Sequence, residues 1–469
     1  MLVKQILLAG LLLAGLAVLV PAQQPGPSRR RPVSIENEEP VTFNKQVVRL
    51  LQDRCQTCHH PGDIAPFSLI TYQDAYDHKG EIRYQTENRI MPPWHVNSEC
   101  AAYQDNPSLT SEEIRMLRRW VDSGAPEGNP VDLSAPLKFN SGWSLGQPDM
   151  ILAMDEPMTP DFSKGDMYRC FVLPTNLDEN RYVSAAEVLP GSRAMVHHVL
   201  LFVDSDPKAP SQHLDSQDPG PGYTCFGGPG FSFIYALGGW APGNRPKLLP
   251  DGVGMMLPKN SRVVMQVHYS ARSGKQEADR TSVGLYFSKT PVKKTLLALP
   301  IINTNFKIPA GESNYKVTAS LPNGLAFLPA DVHLLGVTPH MHLLGKKMTV
   351  TAIAPDKKQL CLVDVPNWDF HWQGTYFYED PIVLKTGTRI NLTAYYDNSE
   401  NNPENPNNPP RDVGWGENTT DEMCIAFLHF TLDAEVPIPG LAKTTLDSFA
   451  RFWEVDLAPR RHGLAGSKQ

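Results

Sequence analysis

Charged residues make up only 20% of the 469-residue chain, the net charge is −7, and no basic run longer than Arg29-Arg30-Arg31 occurs in it. Proteins that grip nucleic acid cluster Lys and Arg to neutralise phosphates, so this balance argues against nucleic acid as a partner. Long apolar runs are equally scarce. The run at 6–20 follows Met1-Leu-Val-Lys4, precedes Val20-Pro-Ala22 and is short for a bilayer span. That arrangement of basic start, apolar middle and small-residue ending predicts a signal peptide over 1–22, cleaved after Ala22, and a periplasmic or secreted mature protein. No cysteine follows the cleavage point, which argues against a lipoprotein, and the Pro/Arg/Glu-rich 23–39 reads as a disordered lead-in. Cysteine is sparse too. There are seven, with a single Cys-x-x-Cys, so a zinc site built from two such pairs is excluded.

What the chain has in quantity is punctuation: 43 prolines and 34 glycines separate many short segments. Beyond 143 these segments are β-branched and strand-length, at 196–203, 262–270, 282–287, 347–354 and 388–396, a texture that predicts β-sandwiches. The fold class expected is mainly β. Its domains are a small α-helical unit at 40–128, a Pro/Gly linker at 129–142, sandwiches at 143–290 and 291–435, and a tail at 436–469. The Gly-, Pro-, Asn- and Asp-rich loops 212–230 and 398–418 are expected to be ordered by packing or to lie beside a site.

Inside the helical unit, Cys55-Gln-Thr-Cys58-His59 is a c-type haem attachment motif, in which two thiols reach the vinyl groups and the next imidazole ligates iron. Met91, in Arg89-Ile-Met-Pro-Pro-Trp94, is the candidate for the sixth ligand, with His95 as the alternative. His60 directly follows the proximal ligand, and Met116 falls on the apolar stripe of a helix opened by a Thr110/Glu113 capping box. Helices are also predicted over 43–51 and 72–89, and Gly124 stops the last one. This is the plan of a small cytochrome c.

Four further pieces follow in order. His197-His198 opens a β-rich run, His268 and Gln266 sit in Gln-Val-His-Tyr269, His340-Met-His342 lies in a segment that reads as extended, and Met423 sits in Asp421-Glu-Met-Cys424. Side chains at i and i+2 of a strand share a face, so His340 and His342 present two nitrogens to one ion. Neighbours on a strand do not, and His197 and His198 can share an ion only at a strand end or bulge, or through different ring nitrogens. A thioether is a poor zinc ligand and a good one for cuprous copper, so Met423 points to a copper that cycles.

Together these motifs, over roughly 143–434, resemble the ascorbate-dependent type II copper monooxygenases, the family of peptidylglycine α-hydroxylating and dopamine β-monooxygenases. The resemblance implies two jelly-roll-like domains and two coppers. One, held by His197, His198 and His268, stores an electron; the other, held by His340, His342 and Met423, is where dioxygen reacts. It further implies hydroxylation of a C–H bond of a small organic substrate, with one oxygen atom delivered to carbon, the other released as water, and ascorbate or a periplasmic donor restoring the electrons. Gln266 is expected to hydrogen-bond around the first site. The haem is expected to feed the His197/His198/His268 copper. The alternative is an exported haem and copper electron-transfer or copper-binding protein without hydroxylase activity.

Two departures from the family pattern stand out. Relatives bridge the Cys after the ligand Met to a strand corresponding to 391–396, and the counterpart of Cys170 to one near 279–282; neither stretch has a cysteine, so those bridges are expected to be absent. Five cysteines remain beside the haem pair (Cys100, Cys170, Cys225, Cys361 and Cys424), and an odd number cannot all pair. Peptide-amidating relatives also hold a substrate carboxylate with an Arg, an Asn and a Tyr where this chain has Thr338, Ile425 and Phe427. Losing those charge-assisted bonds predicts an apolar or aromatic substrate, unless another cation such as Arg411 replaces them. His333, His371 and His429 read as core or surface histidines.

Overall fold

The computed structural model describes residues 39–433 apart from 62, 64, 140–141, 226–227, 232, 234–235, 242–243, 272–273, 275, 322–330 and 417. The expected signal peptide, nearly all of the expected lead-in, and the tail lie outside the described residues. The described residues from Val41 to Asp433 belong to one compact unit.

It opens with a π-helical turn, Phe43–Val47, that runs into α1, Val48–Arg54. Then come α2 (Tyr72–Asp77), α3 (Lys79–Glu87) and α4 (Ser111–Asp122). The single helix expected over 72–89 is broken at His78, whose ring stacks on Phe67 at 3.8 Å instead of continuing the turn. The Thr110/Glu113 capping box forms, with Glu113 N–H donating to Thr110 Oγ1 at 3.2 Å and Thr110 N–H to Glu113 at 2.7 Å. Leu117 and Trp120 are fully buried against Phe43, Val47 and Leu51. Each such side chain contributes about 1.5–3 kcal/mol by leaving water. The chain then leaves α4 through Gly124 at φ +88°, a conformation that favours glycine.

The rest is strand. The first half holds β1 (Met150–Ala153), β2 (Met167–Pro174), β3 (Arg181–Leu189), β4 (Val196–Asp204), β5 (Tyr223–Thr224), β6 (Ala236–Trp240), β7 (Val253–Leu257), β8 (Arg262–Tyr269) and β9 (Ser282–Phe287). A helix, α5 (Pro210–Gln217), occupies part of the loop expected at 212–230. The second half holds β10 (Lys294–Ile302), β11 (Lys307–Ile308), β12 (Tyr315–Leu321), β13 (Val332–His340), β14 (Gly345–Ile353), β15 (Gln359–Val365), β16 (Tyr376–Leu384), β17 (Arg389–Tyr396), β18 (Val413–Gly414) and β19 (Ile425–Asp433).

In the first sandwich the sheet β5-β2-β8-β4-β6 packs on β1-β9-β3-β7 through Phe171, Val183, Leu201, Met265 and Leu285. In the second, β12-β17-β14-β15 packs on β10-β19-β13-β16 through Leu334, Val350, Leu392 and Leu428. The two inner sheets are one. Parallel pairing of β10 with β7, Lys294 opposite Val253 and Thr295 opposite Gly254, makes an eight-stranded sheet that crosses both halves.

The helical unit is likewise tied in. Trp94, Val96 and Tyr103 join the core of the second sandwich, Tyr103 pairs with Tyr378, and Cys100 is disulfide-bonded to Cys361. Residues 94–105, counted within the helical unit by sequence, therefore pack as part of the sandwich. A second disulfide joins Cys170 to Cys225, and Cys424 is a buried free thiol. Loop 398–418 is ordered by Asn398, fully buried, whose amide donates to the carbonyls of Pro309 and Arg411 at 3.0 and 2.8 Å.

Candidate metal centre

His197 and His198 sit at a break in register. The pairing of β4 with β8 shifts between Val196 and His198, and that bulge turns two successive imidazoles toward the same place. His268 stands opposite His198 on β8. The three Nδ1 atoms converge: His198 Nδ1 lies 3.2 Å from that of His197 and 3.3 Å from that of His268. Imidazole nitrogens about 2.0–2.1 Å from a shared ion stand roughly 3.3–3.6 Å apart, so this spacing suits a metal. His268 is oriented by Asp166, which accepts from Nε2–H at 3.1 Å and leaves Nδ1 its lone pair. The same carboxylate accepts from Thr419 Oγ1 at 2.6 Å and Ala271 N–H at 2.9 Å. Burial alone would raise Asp166, but these donors outweigh it and hold the group well below the usual carboxylate range. Burial pushes His197 down to about 3 and His198 well below its ordinary value, so both rings are neutral at pH 7 and could donate to a metal.

The second set is built differently. His340 ends β13, Met341 turns into the core fully buried, and His342 returns to the side of His340, with ring centroids 5.2 Å apart. Both Nδ1 atoms are occupied: His340 donates to Gln373 Oε1 at 2.6 Å and His342 to the Asp421 carbonyl at 3.1 Å. Nε2 is therefore the free nitrogen of each. Burial lowers His340 to about 4 and His342 well below 6.5.

Met423 is buried two residues before Ile425, the cross-strand partner of His340. Tyr396 donates its phenol to the Met423 carbonyl at 2.7 Å. Glu422 clasps the two strands, accepting from the backbone N–H of His342, Leu344 and Met423 at 3.0, 2.6 and 3.1 Å. Burial pushes its carboxyl up to about 8 against those bonds. Trp368 donates Nε1–H to the His342 carbonyl at 3.1 Å and packs over Gly345, where an added Cβ would stand 2.8 Å from the indole.

The two sets meet across one ring. Phe370 stacks on His197 at 5.0 Å and meets the edge of His342 at 5.9 Å.

Some expected residues are placed elsewhere. Gln266 donates to the Cys225 carbonyl at 2.9 Å, so it holds the disulfide loop, and Asp166 is the residue that orients a ligand. Thr338 Oγ1 is engaged by Thr375 Oγ1 and His429 Nε2, both at 2.7 Å, while Phe427 and Ile425 face it and His340 in register. Arg411 is exposed. Asp166, Gln373 and Phe370 escaped sequence reasoning. Only the aromatic density of 368–372 could have flagged the last two.

A cavity of about 770 Å³ lies beside these sets. Cys55, Cys58, His59, Met91 and His95 line it together with Leu237, Leu249 and Phe377, and Arg54, Arg245 and Lys247 add positive charge. His59 Nδ1 bonds the Phe67 carbonyl at 3.1 Å, which leaves Nε2 free, and burial keeps the ring's pKa below its ordinary value.

Residues 294–440 match the model of the copper type II ascorbate-dependent monooxygenase C-terminal domain. Peptidyl-glycine alpha-amidating monooxygenase B of Xenopus laevis is 24% identical over 296 residues, 62% of this chain. The match covers 31% of that relative, so the chain spans about a third of its length. Among solved structures, that of infectious bursal disease virus Gx strain is 7% identical over 61% of this chain and 73% of that one, with a TM-score of 0.19. A β-porphyranase of glycoside hydrolase family 86 from Bacteroides plebeius is 10% identical over 79% and 55%, with a TM-score of 0.14. Neither score bears on the fold.

Proposed function

We propose that the chain, which matches the copper type II ascorbate-dependent monooxygenase C-terminal domain over residues 294–440, hydroxylates a C–H bond of a weakly polar organic compound with dioxygen and one-electron donors. The observation that carries the reading is the convergence of the His197, His198 and His268 Nδ1 atoms, joined through the ring of Phe370 to the His340/His342 pair. Bound there, two coppers supply dioxygen reduction and one electron each. His197, His198 and His268 would hold one through Nδ1; His340 and His342 through Nε2, with the Met423 thioether, would hold the other. Asp166 favours the cupric state at the first set by its charge. At the second, neutral acceptors and a thioether favour the cuprous state.

The lining of the cavity fits a covalently attached haem. Two thiols and a histidine with a free Nε2 sit on an apolar wall, Met91 on the same wall would offer a thioether, and Arg54, Arg245 and Lys247 would suit its carboxylates. The two disulfides support maturation in an oxidising compartment, hence a periplasmic or secreted protein. Substrate choice rests on Ile425 and Phe427. Thr338 is already committed to Thr375 and His429, so its hydroxyl is not free to take a carboxylate.

The test is metal analysis and turnover on protein matured with a haem-attachment system. Two coppers and one haem iron per chain are expected, with oxygen uptake matched by hydroxylated product from an apolar compound and none from C-terminal glycine peptides. Zinc that persists at Met423 after copper loading, or efficient peptide turnover, overturns the reading.

A further inference from the structure

The loop between β15 and β16, residues 366–375, is the wall shared by the cavity and both ligand sets. On the cavity side it presents Trp372, Gln373, Gly374 and Thr375. Its Asn367 backbone and Asp369 lie against His95, itself on the cavity wall. On the other side Phe370 touches His197 and His342, and Trp368 holds the His342 carbonyl. Gln373 does both at once. It lines the cavity, accepts from His340 Nδ1 at 2.6 Å, and donates Nε2–H to the Phe370 carbonyl at 2.9 Å, which locks the loop.

We propose that this loop carries electrons from the cavity into the second ligand set, with Gln373 as the last link to His340. The proposal rests on the haem reading of the cavity and departs from the expectation that the haem feeds the first set. Electron transfer through protein weakens steeply with each through-space gap. The route through Gln373 to His340 is one side chain and one short hydrogen bond, whereas the loop reaches the first set through the ring contact of Phe370 with His197. One electron leaves a ferrous c-type haem, which becomes ferric, and arrives at a cupric ion on His340, His342 and Met423, which becomes cuprous. No bond forms or breaks, and no proton moves.

Gln373 is a positioning residue, and its test needs no turnover. The holoprotein, fully oxidised and without oxygen, is mixed with less than one equivalent of dithionite; haem absorbance and freeze-quenched copper EPR follow the electron. In the parent protein, haem reduced first should reoxidise as the cupric signal of the second set disappears. Gln373→Leu should slow that step by about 10–100-fold, the usual cost of losing a partner behind a metal ligand. Gln373→Asn, too short to reach His340, should do the same, and Gln373→Glu, which keeps the acceptor, should restore the rate. An unchanged rate in Gln373→Leu and Gln373→Asn with the second copper present overturns the proposal, as does slowing by Phe370→Leu alone. A matured protein without haem absorbance overturns the cavity reading itself, an outcome distinct from a loaded protein with unaltered transfer.

Discussion

The two ligand sets use the same residue type in opposite ways. On the first sandwich three imidazoles turn Nδ1 inward, one of them because Asp166 takes its Nε2–H. On the second, Gln373 and the Asp421 carbonyl take Nδ1–H and leave Nε2. Which nitrogen a histidine offers is decided by what its other nitrogen touches, and the charge of that partner tunes the metal. An anion behind the first set would stabilise the higher oxidation state of a copper held there. Uncharged oxygens and a thioether at the second would stabilise the lower one, the division of labour between an electron store and an oxygen site that the proposed function calls for.

The largest effect that could break this comparison is loss of a ligand. Met423→Ala should abolish hydroxylation while the first set keeps its copper, and His198→Ala, whose Nδ1 stands between the other two, should remove the first copper and leave the second. Copper content by elemental analysis beside oxygen uptake checks both. Equal loss from both sets in either variant would mean that they are not separate sites.

A smaller effect should follow from Asp166→Asn. Copper at the first set should bind about 10–100-fold more weakly and become easier to reduce, with the second set unaltered. Competition with a chelator and an EPR-monitored redox titration read the two quantities. A change at the second set would show that Asp166 acts mainly through Thr419, which lies four residues before Met423.

The smallest effect concerns a histidine that is no ligand. Burial holds His429 at about 4, below its ordinary 6.5, so between those values the unfolded chain binds more protons than the folded one. Stability of the metal-free protein should therefore fall as pH drops from 6.5 toward 4. His429→Gln, which can still bond Thr338, should make that fall shallower in urea titrations across the range. An identical slope would mean that His429 is protonated in the folded protein as readily as in the unfolded one.

Much of this was legible in the residues themselves. Strands predicted at 196–203, 262–270, 282–287, 347–354 and 388–396 form within a few residues of those bounds, because period-2 burial and β-branching act locally. The Thr110 cap formed for the same reason. The helix break at His78 was not legible, since it depends on a stacking partner, Phe67, eleven residues away. Nor was the engagement of 94–105 with the second sandwich, which rests on a disulfide between residues 261 apart in sequence.

By itself the sequence named the candidate ligands through the resemblance that its His-His, Gln-Val-His-Tyr, His-x-His and Asp-Glu-Met-Cys motifs carry in that order; residue type and spacing alone reached only as far as His340 and His342 sharing a face. It also determined the mainly β texture and the thiol pair before His59. Only the tertiary structure decided which ring nitrogens are free, that Asp166 and Gln373 stand behind the ligands, and that one ring, Phe370, spans the two sets. It also decided that a single sheet runs through both sandwiches. Those features join residues tens to hundreds of positions apart, and such contacts are set by packing and register, which no local pattern encodes.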